Sequence, residues 1–121
     1  MEAPLVPAYG ESTLADVVPS MAASLGIDGW SDALGLPAAD RWVLFLVDGL
    51  GALNLAAALE DAPFLATLLA GDASSTLTSG APSTTATSIT SLGTGLAPGQ
   101  HGIAGYAFRN PVGGGYLNAL T

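Results

Sequence analysis

The sequence predicts an α/β fold, a mostly parallel sheet with flanking helices, and three observations lead there. Residues 42 to 47, WVLFLV, form a short continuous apolar run. A strand that is apolar on both faces must be buried on both, as in the centre of a parallel sheet. A glycine turn and a helical stretch, residues 52 to 60, follow directly. Residues 74 to 79 then offer a second, weaker strand, and residues 84 to 93 a second helix. Strand and helix in alternation is the order of α/β proteins.

The other elements follow from local signals. Residues 11 to 25, ESTLADVVPSMAASL, read as helical with a break. Ser12 or Thr13 can cap the start. Pro19 ends one turn and suits the first turn of the next helix, and Gly26 is a C-terminal stop. Residues 27 to 40 carry Gly, Pro and Asp punctuation and read as a connection. Asp61, Ala62 and Pro63 separate the helix over 52–60 from a short one over 64–70. The threonines of 84–93 lower helix propensity, so packing must hold that helix. Residues 94 to 102 read as a loop. Residues 103 to 108 read as extended, with Gly113 to Gly115 turning the chain back toward Tyr116 and Leu117.

Composition limits the function. The chain has 121 residues, enough for one small domain. Half its residues are hydrophobic and its mean hydropathy is +0.51, which suits a piece whose apolar faces expect further partners or an Ala-, Leu- and Gly-rich source. Net charge is -8, lysine is absent, and Arg41 and Arg109 are the only cations. A nucleic-acid surface and an electrostatic membrane surface are therefore both excluded as expectations. An acidic chain can still take a phosphate substrate, because bound divalent metals invert the local field. With no cysteine there is no disulfide, thiolate metal site or cysteine nucleophile. The N-terminus has no basic residue and no long apolar stretch, so no secretory signal is read there. These features point to the cytoplasm.

Two places carry candidate chemistry. Asp48 ends the apolar run, and open α/β sheets build their sites at the carboxyl ends of strands. Gly49 and Gly51 let backbone approach a ligand, and a carboxylate there suits a divalent metal. The alternative is that Asp48 caps the following helix. A dinucleotide loop fits poorly, since Asn54 stands where a third glycine is needed and Asp48 would face a pyrophosphate. The second place is PSTTATSITSLGTGLAPGQHG, residues 82 to 102. It gathers hydroxyls at a helix start, where amides attract phosphate and stabilise a developing alkoxide. A capping turn without chemistry is the alternative reading of those hydroxyls.

Asp48 after the apolar run, the Pro82-Ser83-Thr84-Thr85 turn, Thr94-Gly95-Leu96-Ala97-Pro98 and His101-Gly102-Ile103 together resemble the nucleotide pyrophosphatase/phosphodiesterase branch of the alkaline phosphatase superfamily. The resemblance covers roughly residues 42 to 108 and rests on motifs in the right order. It implies an incomplete alkaline-phosphatase-like α/β domain, with residues 1–121 as its N-terminal portion. It implies a metal-dependent phosphoester hydrolase, a phosphodiesterase, nucleotide pyrophosphatase or phosphatase, acting on a small-molecule phosphoester. By that resemblance Thr85 is the nucleophile, selected over Thr84 by its separation from His101. Asp48 and Thr85 are ligands in a centre of two divalent metals, zinc in most members, and two ligands of one metal place their groups within about 8 Å. The resemblance also sets Ser88 against the phosphate as a weak contact, since serine is a short donor.

The ligand count departs from that pattern. Two metals need about six protein ligands. After Thr85 the sequence holds one histidine, His101, and no acidic residue. His101 has no spaced partner and reads as a structural loop histidine. The reading is therefore a piece of an enzyme that needs the remainder of its catalytic domain and is inactive alone. The competing reading is a non-catalytic α/β remnant or interaction module. Sulfatase relatives fit less well without a cysteine.

Overall fold

The computed structural model describes residues 5–72 and 74–119. The chain divides into two compact units, Met1–Trp42 with Leu77–Thr121, and Val43–Thr76. No helix among the described residues is long and apolar enough to cross a membrane.

The first unit begins with a 3₁₀ turn over Leu14–Asp16 that runs into α1, Val17–Ser24. Thr13 caps the turn and Asp16 closes a capping box with it. The Asp16 carboxylate is buried. It accepts the Gly10 amide at 2.9 Å, the Thr13 amide at 2.8 Å and the Thr13 hydroxyl at 2.7 Å. Three bonds to one carboxylate satisfy groups that would otherwise be costly to bury. Pro19 sits in the first turn of α1, where its missing N–H costs nothing. Gly26 ends the helix at φ 76°. The connection is tied back to α1 by side chains. Ser20 Oγ accepts the amides of Ala33 and Leu34 at 3.1 and 3.2 Å, and Trp42 Nε1 donates to Ser24 Oγ at 2.7 Å.

The same unit continues with α4, Thr85–Thr94, the short α5, Pro98–His101, and two strands, β1, Ala107–Arg109, and β2, Tyr116–Asn118. β1 and β2 pair antiparallel with Phe108 opposite Leu117. A single parallel bridge joins Thr13 to Thr78, so the 74–79 segment contributes one bridging residue instead of a full strand. Among the described residues the buried apolar ones are small or few, Ala15, Ala86 and Leu92, and stand beside buried Thr13, Ser20, Thr87 and Ser91. Small and hydroxyl-bearing residues let α4 approach the 3₁₀ turn and α1 closely. Gly95 is where that approach is tightest. It adopts φ 70°, and a Cβ there would lie 2.6 Å from Pro19 Cγ.

The second unit holds α2, Ala52–Ala57, a 3₁₀ turn at Leu59–Asp61 and α3, Pro63–Leu69. None of its described residues is buried. Val43 is 87 % exposed and Phe45 86 %.

Here the structure corrects the expected sheet. The run 42–47 belongs to no strand and no helix. Among the described residues the one ladder is antiparallel and two-stranded, so a mostly parallel sheet is not present. The reason is physical: a strand exists only where a neighbour takes its N–H and C=O groups, and the second candidate strand bridges to Thr13 instead. What stands is α/β at the coarse level, helices with a small sheet.

Candidate active site

The hydroxyl cluster sits at the start of α4, and its members differ in what they touch. Thr84 is the N-cap, with extended φ and ψ of -103° and 151°. Its Oγ1 accepts the Thr87 amide at 3.4 Å and donates to Thr87 Oγ1 at 3.0 Å. Thr87 is fully buried, and its methyl lies against Gly80, where a Cβ would meet it at 3.3 Å. Thr84 and Thr87 are thus capping and packing residues, as such turns require. Ser83 is exposed. Thr85 is the first residue of α4 and half-buried. The Tyr106 phenol donates to its Oγ1 at 3.4 Å. Ser88 lies one turn on, half-buried, its amide donating to the Thr84 carbonyl at 2.9 Å.

The two glycine motifs that follow are turns that hold α4. Thr94 Oγ1 donates to the Thr90 carbonyl at 2.7 Å and accepts the Leu96 amide at 3.3 Å. Gly95 supplies the left-handed step between them, and Pro98 opens α5 at a position that needs no N–H. Gly102 then adopts φ 78°, which folds the Ile103 amide back onto His101 Nδ1 at 3.0 Å. With Nδ1 accepting, the neutral ring carries its proton on Nε2 and donates to Ser91 Oγ at 2.9 Å. Partial burial lowers the His101 pKa below the ordinary histidine value, which favours this neutral form. Both ring nitrogens are occupied, so His101 serves the scaffold, as its isolation in the sequence implied.

Asp48 lies in the second unit, exposed, in the turn that ends the apolar run. Gly49 takes φ 76° there. The N-cap of α2 is Gly51. Asp48 and Thr85 each make a contact within the fold. Among the described residues no group of three or more His, Asp or Glu side chains is arranged to hold a metal ion. The side chains present therefore do not fit a complete two-metal centre.

The family model described as Type I phosphodiesterase / nucleotide pyrophosphatase matches residues 42–120. The chain belongs to this family. The match takes in Asp48, the whole of α4 with Thr85 and Ser88, the His101 turn and the β1–β2 hairpin. It identifies the chain with a family of hydrolases that cleave phosphodiester and pyrophosphate bonds. No curated protein matches the chain, and no solved structure matches it.

Sequence reasoning passed over one residue at this site. Tyr106 falls in a stretch read only as extended, yet its phenol reaches Thr85. The contact joins residues far apart in sequence, which no local period reports. A polar aromatic directly beyond a glycine turn, next to a half-buried helix start, was the available signal.

Proposed function

We propose that residues 1–121 are the N-terminal portion of an alkaline-phosphatase-like phosphodiesterase domain and carry its nucleophile, Thr85. The observation that carries this reading is the family match over α4, with Thr85 at the first helical position. Thr84, by contrast, is the N-cap of that helix, and its hydroxyl is hydrogen-bonded to Thr87. Amides of the first helical turn point out of the helix start and favour negative charge on an oxygen there.

The chemistry is two displacements at phosphorus. Thr85 Oγ1 bonds to phosphorus as the bond to the leaving oxygen breaks. The leaving oxygen takes the electron pair and a proton from water, and the Thr85 proton passes to solvent. Water then attacks phosphorus, Oγ1 departs with its electron pair and regains a proton, and the phosphate product is released. Ser88, one turn along the same helix, is assigned a weak hydrogen bond to the phosphate.

The expected centre of two divalent metals, zinc by resemblance, is not assembled by the described residues. We assign Asp48 to it as one ligand, with Thr85 as the ligand that also reacts, and place the remaining ligands in further chain of the same domain. That further chain also supplies neighbours for the run 42–47, which then enters a parallel sheet. The ligand deficit equally suits a non-catalytic remnant, and one experiment separates the two. The longest product of the reading frame containing these residues is assayed with zinc against bis(p-nitrophenyl) phosphate. Turnover that disappears in Thr85→Ala supports the enzyme reading. A reading frame that adds no aspartate–histidine ligand motifs, with no turnover, supports the remnant.

A further inference from the structure

We propose that Tyr106 is a second catalytic residue, the hydrogen-bond donor to the Thr85 oxygen in both displacements. The proposal rests on the reading of Thr85 as the nucleophile and adds a residue that neither the motifs nor the family match assigns. Its starting point is the 3.4 Å contact in which the Tyr106 phenol donates to Thr85 Oγ1.

The backbone around Tyr106 is built to hold the phenol there. Gly102 turns the chain in the left-handed region, and His101 fixes the amide that follows it. On the other side, the Tyr106 carbonyl accepts the Ala119 amide at 2.7 Å, which extends the β1–β2 pairing by one residue. Tyr106 stands in a bend directly before β1, and Phe108 is the middle residue of that strand. Phe108 lines an apolar recess of about 420 Å³ with Ala86, Ile89 and Thr90 of α4. The chain thus meets α4 at two places, with Phe108 along the helix and Tyr106 at its first residue.

The chemical role follows from where charge develops. In the first displacement Oγ1 gives up its proton and carries negative charge before it bonds to phosphorus. In the second, Oγ1 is the leaving oxygen and takes back an electron pair. A neutral O–H donor directed at that atom stabilises it in both cases and keeps its own proton throughout. The contact is longer than the usual O–H···O separation of about 2.7–2.8 Å. Charge on the acceptor shortens such bonds, so the donor contributes more in the transition state than in the resting state. An interaction that strengthens in this way raises kcat.

Tyr106 is 45 % exposed, and Tyr106→Phe removes only the hydroxyl and keeps the ring in place. The test uses the full-length protein containing this chain, with bis(p-nitrophenyl) phosphate as substrate. Tyr106→Phe is expected to lower kcat on the order of 10-fold, the size of one ordinary hydrogen bond. KM and the thermal midpoint are expected to stay near wild type. In a Thr85→Ser background, which keeps a hydroxyl, Tyr106→Phe is expected to lower kcat again. Wild-type kcat in Tyr106→Phe overturns the proposal and leaves the Thr85 reading standing. So does a loss seen in Tyr106→Ala but not in Tyr106→Phe, since it would assign the effect to ring packing. Wild-type turnover in Thr85→Ala, or none in the unaltered protein, overturns the parent reading and this one with it.

Discussion

His101 and Ser91 are joined by a 2.9 Å hydrogen bond from the imidazole Nε2 to the serine hydroxyl, in a region where Ser91 is almost fully buried. The bond ties the end of α5 to the middle of α4. Because Nδ1 simultaneously accepts the Ile103 amide, the pair is a clasp and not a nucleophile–base couple. The single histidine of the chain is spent on holding the helix that carries Thr85.

This clasp has a pH dependence of known sign. Burial lowers the folded-state pKa of His101 below its ordinary value of 6.5. The unfolded chain therefore binds a proton first as pH falls, and stability rises with pH across that window. The clasp contributes fully above the ordinary histidine pKa and loses its contribution as pH falls toward the folded value. Urea midpoints at pH 8 and pH 5.5 test this. The wild-type midpoint is expected to drop on acidification by more than that of His101→Gln. Equal drops in the two proteins would remove His101 from the account.

Gly95 gives a prediction with two separable parts. Its φ of 70° disfavours any side chain, and an added Cβ meets Pro19 Cγ at 2.6 Å. The left-handed conformation alone costs roughly 1–2 kcal/mol for a non-glycine residue, and overpacking adds roughly 1–3 kcal/mol. Gly95→Ala is therefore expected to destabilise the first unit by about 2 kcal/mol or more. Combining it with Pro19→Ala should recover the packing part and leave the backbone part. Chemical denaturation of the single and double variants measures both, and a double variant no more stable than Gly95→Ala would show that the Pro19 contact does not matter.

The apolar run of the second unit predicts a surface property. Val43 and Phe45 are largely exposed, and adjacent exposed apolar side chains bind hydrophobic dyes and associate. In the 121-residue chain, Val43→Ser with Phe45→Ser is expected to lower anilinonaphthalene sulfonate fluorescence with little change in stability. In a longer product that completes the sheet, the same double change is expected to destabilise the protein, because the two side chains are then buried. Destabilisation of the 121-residue chain itself would mean that the run already packs there.

Much of the first unit was legible because its signals are local. Thr13 caps where a capping residue stood, Gly26 stops α1, and α4 begins one residue after the Pro-Ser-Thr turn. The hairpin at Gly113–Gly115 was readable for the same reason. Pro98 is a standard first helical residue, but the four-residue α5 is too short for any period to announce. The expected central strand was not legible, since hydrophobicity says that 42–47 wants burial without saying what pairs with it. At the site, the position of Thr85 on its helix follows from the capping pattern, whereas its contact with Tyr106 depends on the hairpin. The occupied nitrogens of His101 depend on a left-handed glycine after it, which the His-Gly-Ile order carries once the turn is seen.

Recovery of a phosphorylated residue identifies the nucleophile directly. The longest product containing this chain is mixed with a phosphoester substrate and zinc, quenched in acid, digested and read by mass spectrometry. Phosphate is expected on Thr85, with Thr85→Ala losing both the label and turnover, Thr84→Ala and Thr87→Ala keeping much of the turnover, and Thr85→Ser keeping part. Displacement of the attacking oxygen by about 1 Å already costs on the order of 10²-fold, so neighbouring hydroxyls are not expected to substitute. Phosphate on Thr84, with turnover lost in Thr84→Ala and kept in Thr85→Ala, would contradict the assignment of Thr85.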